Sequence, residues 1–376
     1  MEVIVIGGNH QNTLSIVRSL ADNYVIHAII VGCTQKECYV IKSKYISSWS
    51  IVESDSHVIE ILLSKYKKDN ERKIIITCSD GAASVLDCNL DQIKQHFDIF
   101  SCQTQGILTH YLEKQNQVKV ATEAALKVPY SIVYVVGDEL PNNIIYPCIT
   151  KPLSSAYMAK RFDIAENRAQ LFSIIQSYPS NGQILIQEYI KRDYEIVVDG
   201  FSSNRRICIP GYVRKLRDNM GNTSYCVSGS IDDLPKHVVQ SIKKLILRID
   251  YQGLFGVELI VAGEDYYFVE INLRNDATTY ALCFAGTNLP CLYVESRQSN
   301  CIPENCKCKG GITAMIELTD FFNAMKAGVS LKQWFSDLKK SECLYFYDSN
   351  DIKPFNYAFF KVLQNKCLRL MNFFTK

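Results

Sequence analysis

Short apolar runs alternate with amphipathic segments over the first hundred residues. Val3–Ile6, Val25–Val31 and Lys73–Thr77 are apolar stretches of strand length. Between them, Thr13–Asp22 carries Leu14, Ile16, Val17, Leu20 and Ala21 at helical spacing. His57–Tyr66 and Gly81–Cys88 read as further helices. Buried runs separated by helices predict a parallel, doubly wound α/β sheet.

The pattern changes near residue 111. Val118–Leu126 is helical and stops before Pro129, strands are predicted at Ser131–Val136 and Tyr146–Lys151, and a helix covers about Ala165 to Ser177. Alternation of apolar and polar positions then predicts strands at Ile184–Gln187, Tyr194–Phe201, Arg206–Val213, Phe255–Val261 and Tyr267–Asn272, interrupted by a helix over Pro235–Ile249. The expected division is 1–110, 111–182, 183–300 and a mixed extension, 301–376. That extension ends in Tyr357–Phe374, where phenylalanines and leucines are interleaved with Lys361, Lys366 and Arg369. An amphipathic helix is expected there. It would pack on the body of the protein or rest on a membrane or a partner enzyme.

Composition narrows the class. Of 376 residues, 47% are hydrophobic and 21% charged, which is globular rather than disordered. A net charge of +2 gives no general footprint for nucleic acid. No apolar run reaches spanning length, and the N-terminus lacks a basic leader, so a soluble, cytoplasmic chain without a signal peptide is expected. Fifteen cysteines scattered over such a length read as free thiols. Cys301, Cys306 and Cys308 have no nearby histidine to complete a metal site, and are expected to be loop cysteines.

Phosphate-loop, dinucleotide, zinc-protease and nucleophile-elbow motifs are all absent. Gly7-Gly8-Asn9 makes a strand-to-helix turn that a ligand could approach. The most informative stretch is Gly256–Val261 followed by Tyr267–Asn272, which reads as a hairpin. With a loop over Ala262–Tyr266, Val261 pairs with Tyr267 and Glu258 falls opposite Glu270, with Asn272 on the same face. Directly opposed carboxylates repel. A divalent cation would remove that penalty, and Glu, Glu and Asn are the oxygen donors that Mg²⁺ prefers.

Glu270-Ile271-Asn272-Leu273-Arg274 resembles the E-I-N-x-R signature of the ATP-grasp superfamily. Upstream residues follow that family's order: Lys114 ahead of Pro129, Lys151-Pro152 closing a strand, the hinge-like Glu188-Tyr189-Ile190, and Glu195. The Gly7-Gly8 opening, Arg18-Ser19-Leu20 and the Ser79-Asp80 turn are similar to the sheet that precedes the ATP-grasp lobes. The resemblance runs over about 110 to 290 and is greatest to carboxylate–amine ligases of the D-aspartate ligase and carbamoyl-phosphate-synthase-like type.

The resemblance implies a Rossmann-like N-terminal sheet followed by a two-lobed α+β ATP-grasp region. It implies a ligase that uses ATP and Mg²⁺ (or Mn²⁺), forms an acyl phosphate and releases ADP and phosphate. Lys114, Lys151, Ser154, Glu188, Tyr189, Ile190 and Glu195 would bind ATP. Glu258, Glu270 and Asn272 would hold metal. Lys215 would reach the terminal phosphate, and Arg274 the acyl phosphate or substrate carboxylate. Asn9, His10, Arg18, Ser79 and Asp80 are the candidates for substrate contact, since open α/β sheets bind ligands at strand ends. The expected partners are a small carboxylate and an amine, with a homodimer as the expected assembly. The segment Leu153–Lys160 lacks the glycines usual in the family's phosphate flap, which leaves a non-catalytic nucleotide binder as an alternative. A carboxyphosphate-forming synthase is a second alternative.

Overall fold

The computed structural model describes residues 1–67, 72–152, 163–219, 222–303 and 306–374. Ser154 and the glycine-free segment 153–160 lie outside the described residues.

The N-terminal strands β1 (Glu2–Gly8), β2 (Val25–Val31), β3 (Ile46–Val52), β4 (Lys73–Thr77) and β5 (Phe97–Asp98) form a parallel sheet in the order β3-β2-β1-β4-β5. Both faces of β1 are buried: Ile4 and Ile6 pack with Ile29, Ile75 and Leu86, and Val3 and Val5 with Ile16, Leu20 and Ile74. That two-sided burial is why β1, β2 and β4 read as nearly unbroken apolar runs. β3 has no such run because it is a half-exposed edge strand with Ser47, Ser48 and Ser50. Helices α1 (Gln11–Leu20) and α2 (Asp80–Cys88) follow β1 and β4. The turn into α1 demands glycine, since a Cβ on Gly7 would lie 2.4 Å from Thr13 Oγ1 and 2.8 Å from Cys78 Cβ.

Helix α3 (Lys114–Glu123) leads to a second, antiparallel sheet of β6 (Ser131–Val135), β7 (Cys148–Pro152), β8 (Asp163–Ala165) and β9 (Gln183–Glu188), in the order β6-β9-β7-β8. Helix α4 (Arg168–Ile175) buries Leu171 and Ile175 against it. β9 pairs with β6 and β7, so this lobe runs past the boundary expected at 182.

The third sheet contains β10 (Tyr194–Ser203), β11 (Arg206–Asn219), β12 (Asn222–Ser230), β13 (Gly253–Ala262), β14 (Asp265–Asn272), β15 (Thr313–Met315) and β16 (Cys343–Leu344), in the order β14-β13-β10-β11-β12-β15-β16. Helices α5 (Lys236–Arg248) and α6 (Leu289–Ser299) bury Ile242, Leu245, Tyr293 and Val294 in its core. The segment expected as a separate extension from 301 is divided: β15 and β16 complete this sheet. Helices α7 (Glu317–Lys326), α8 (Leu331–Lys340) and α9 (Ile352–Phe374) follow β15.

The β13–β14 hairpin differs from expectation in an instructive way. Its turn is two residues rather than five: Ala262 pairs with Asp265, and Gly263 takes φ +61°. Uninterrupted, that register would put Val269 opposite Glu258. A β-bulge at Val269 adds one residue to β14, so Leu259 pairs with Phe268 but Glu258 pairs with Glu270.

Candidate active site

The three sheets converge on a cavity of about 890 Å³. Lys114, at the start of α3, lines it with Lys151 at the end of β7 and with Gln187, Glu188, Tyr189 and Ile190 at the end of β9. Glu195, Glu258, Glu270 and Asn272 line it from the third sheet, and His10 and Asn12 from the N-terminal domain. Eleven of the expected site residues line this one space; Asn9, Arg18, Ser79, Asp80 and Lys215 are not among its lining residues.

Strand alternation explains the composition of the floor. On β10 the residues Glu195, Val197 and Asp199 share a face, and Val197 pairs with Glu258 on β13. Lys215 of β11 reaches this face and is almost fully buried: its Nζ lies 2.7 Å from Glu258 Oε2 and 3.0 Å from Glu195 Oε2. Burial works against its charge, but the two carboxylates outweigh burial and raise its pKa. Burial also lifts Glu258, opposed by Lys215 and reinforced by Glu270 and Asp276, to about 7. Glu195 is held from the other side by Arg192. Neither Arg192 nor Asp218, which also line the cavity, was singled out from sequence.

Lys151 Nζ donates to Gln187 Oε1 at 3.0 Å. Burial, with the neighbouring charge of Lys114, lowers its pKa to about 8. A lysine so placed holds its proton weakly until an anion arrives.

Arg274 is half-buried and spread over four groups. It donates to Asp80 Oδ1 at 2.8 Å, to the Asn275 carbonyl at 3.0 Å and to Asn272 Oδ1 at 3.0 Å, and its NH1 lies 3.7 Å from Asp276. The segment carrying it is fixed to the carboxyl ends of the parallel strands. Asn275 N donates to the Thr77 carbonyl at 3.0 Å, and the amides of Asn12 and Asn275 bond at 2.6 Å. His10 caps α1 by accepting from Asn12 N, and burial followed by the charge of Arg274 lowers its pKa. Cys78 is pushed up to about 12 by burial, which argues against a thiolate nucleophile.

Three expected substrate residues are otherwise engaged. Arg18 is buried beneath the C-terminal segment and donates to Asp351 Oδ2 and to the carbonyls of Tyr345, Phe346 and Asp351. Asn9 braces the 37–40 loop, accepting from Tyr39 N at 3.0 Å and donating to the Glu37 carbonyl at 2.9 Å. Ser79 caps α2 through Ala82 N. Sequence reading also passed over Asp199. Its carboxyl is fully buried with no hydrogen-bond partner among the described residues, and burial followed by Asp276 raises its pKa well above the usual range. The only available signal was its alternation with Glu195 and Val197. Gly256 makes room for it, since a Cβ there would lie 3.1 Å from Asp199 Oδ1.

The donor set suits a hard cation. Glu258 and Glu270 are opposed on the ladder, Asn272 adds an amide oxygen that also accepts from Arg274, Glu258 also accepts from Lys215, and all three border the cavity. Among the described residues no cluster of three His, Cys, Asp or Glu side chains is placed to hold a metal, so any ion here would be completed by ligand oxygens.

Residues 111–278 match the family model described as ATP-grasp domain. The chain is 23% identical over 280 residues to the D-aspartate ligase of Enterococcus faecium (strain Aus0004), covering 66% of this chain and 65% of that protein. It is 31% identical over 143 residues to the formate-dependent phosphoribosylglycinamide formyltransferase of Escherichia coli O157:H7, 34% of each. It thus spans less than two thirds of the length of these curated relatives. Among solved structures, the ADP complex of an N5-carboxyaminoimidazole ribonucleotide synthetase superposes with a TM-score of 0.67 at 11% identity, over 90% of this chain and 95% of that one. An L-amino acid ligase from Bacillus licheniformis superposes with a TM-score of 0.60 at 10% identity, over 80% and 74% of the two chains. At such identities the likeness is one of fold.

Proposed function

We propose, from the match of residues 111–278 to the ATP-grasp domain model, that the protein is an ATP-dependent ligase joining a small carboxylate to an amine through an acyl phosphate. The observation that carries this reading is the gathering of Lys114, Lys151 and Arg274 with Glu258, Glu270 and Asn272 around one cavity.

Adenine would sit against Glu188-Tyr189-Ile190, with the phosphates directed to Lys114 and Lys151. Mg²⁺ or Mn²⁺ held by Glu258, Glu270 and Asn272 would neutralise charge on the phosphate oxygens. The substrate carboxylate oxygen attacks the γ-phosphorus and ADP leaves. The amine then attacks the acyl carbon and phosphate leaves. Alignment of two anions is the main difficulty of the first step. Arg274 is suited to orient the carboxylate because its planar guanidinium is already fixed by Asp80 and Asn272. Lys215 would stabilise charge on the terminal phosphate, and Glu195 would face the ribose.

The similarity to a D-aspartate ligase supports an amino acid as one of the two substrates; the acceptor proposed is a sugar acid or cell-surface precursor. The free thiols at the fourteen described cysteines support a reducing, cytoplasmic setting. A homodimer is the assembly proposed.

The test is nucleotide release from Mg²⁺–ATP with pooled amino acids and sugar acids. ADP and phosphate should appear only with a particular acid–amine pair and vanish in Glu270→Ala. AMP as the product would overturn the acyl-phosphate route. ATP binding without turnover in any pool would favour a non-catalytic module.

A further inference from the structure

Helix α9 (Ile352–Phe374) carries large apolar residues on its outward side as well as on the side that packs on the body of the protein. Its body-facing side carries the buried Pro354 and Ala358, and Lys361 is only half-exposed there. Tyr357, under the Lys42 ammonium at 5.2 Å, helps to seat it. Phe359, Phe360 and Leu363 lie roughly 120° to 160° around the helix from that side at 100° per residue. They are 39%, 61% and 44% exposed. Phe359 stacks on Phe355 at 5.7 Å and meets Phe360 edge-on at 6.1 Å, so the aromatic rings form a continuous outward ridge. A helix that served only the body of this protein would bury that side instead.

Charge identifies what covers it. From Ile352 to Lys376 the sequence carries Lys353, Lys361, Lys366, Arg369 and Lys376, and no aspartate or glutamate. Leu368, Leu370, Met371, Phe373 and Phe374 continue the apolar content. A second copy of the chain would bring five like charges against five, whereas an anionic surface is complementary to them. Among the described residues no helix is long and apolar enough to cross a membrane.

We propose that α9 seats the protein on an anionic lipid surface, lying in the headgroup plane with the Phe359–Phe360 ridge inserted and the net positive charge of the C-terminal segment drawn to the phosphates. The inference stands apart from the ligase reading and needs no substrate.

The experiment is co-sedimentation of the full chain with vesicles. Protein should pellet with phosphatidylserine–phosphatidylcholine vesicles and stay in solution with phosphatidylcholine alone. High salt should weaken pelleting several-fold. Phe359→Ser/Phe360→Ser should lower partitioning by at least about tenfold, since two inserted rings are removed. Phe360 is the more exposed ring, so Phe360→Ser alone should lower partitioning with circular dichroism and thermal midpoint unchanged. Lys366→Glu/Arg369→Glu should lower it through charge alone. Absence of pelleting with either vesicle, or equal partitioning of the serine variant, would overturn the proposal. So would a dimer that the serine variant converts to monomer, because the ridge would then belong to a second copy.

Discussion

Arg18 and Lys215 are both cations buried among carboxylates contributed by distant parts of the chain, yet they do different things. At Arg18 the account closes. Its side chain and that of Asp351 are 2% and 1% exposed, three carbonyls take the remaining donors, and Asp351 also accepts from Ser43 and from Lys44 N. At Lys215 the account stays open. Glu195 and Glu258 retain 15% and 18% exposure toward the cavity, Glu270 stands opposite, and Asp199 is buried nearby. Acids exceed the cations within reach on that floor. A closed cluster fixes two segments to one another, whereas an acid-rich cluster beside a cavity is arranged for positive charge that comes with a ligand.

The widest separation between the two regions should appear on neutralising Glu270. Glu270→Gln keeps the shape of the hairpin and should cost roughly three orders of magnitude in ADP release, as for other groups aimed at developing charge. Its thermal midpoint should stay near that of the native protein. Near-native turnover would erase the functional half of the contrast.

Arg18→Leu should do the reverse. It strands Asp351 in the interior and should lower stability in urea by about 3–5 kcal/mol. Nucleotide affinity, measured where the variant is folded, should be unchanged. Arg18→Lys should not restore stability, because an ammonium cannot reproduce the forked set of donors. A drop in affinity without a drop in stability would return Arg18 to the substrate site.

A smaller effect comes from Lys151, whose pKa lies near 8. ATP affinity should fall by about tenfold for each pH unit above that value as the ammonium is lost. Folding stability should move oppositely, rising between about pH 8 and pH 10.5, because there the unfolded chain binds the proton that the folded chain has released. Lys151→Arg should flatten the affinity profile. A native profile that is already flat to pH 10 would mean that Lys151 does not contact phosphate.

Much of this was legible in the sequence. β1, β2 and β4 were visible because both their faces are buried, and the opposed acids because Glu258 and Glu270 flank a short turn. Lys114, Lys151 and Arg274 were found by their order along the chain. What escaped was set by long-range partners. Nothing local to Arg18 indicates that Asp351, 333 residues away, will claim it. Asp199 looks like one more polar position on an alternating strand until Gly256 and Asp276 close over it. β15 and β16 are too short to carry a pattern of their own and exist because β12 offers an edge.

In a ladder, the side of the sheet on which a residue appears is a matter of parity, fixed by whether the count from the turn is odd or even. The two-residue turn sets one parity and the bulge reverses it: a regular strand that kept Val269 would put Glu270 opposite Val257, on the other layer. The hairpin's chemistry therefore depends on a count as much as on the identity of its acids. An insertion in β14 that left both glutamates in place could silence them as completely as replacing one.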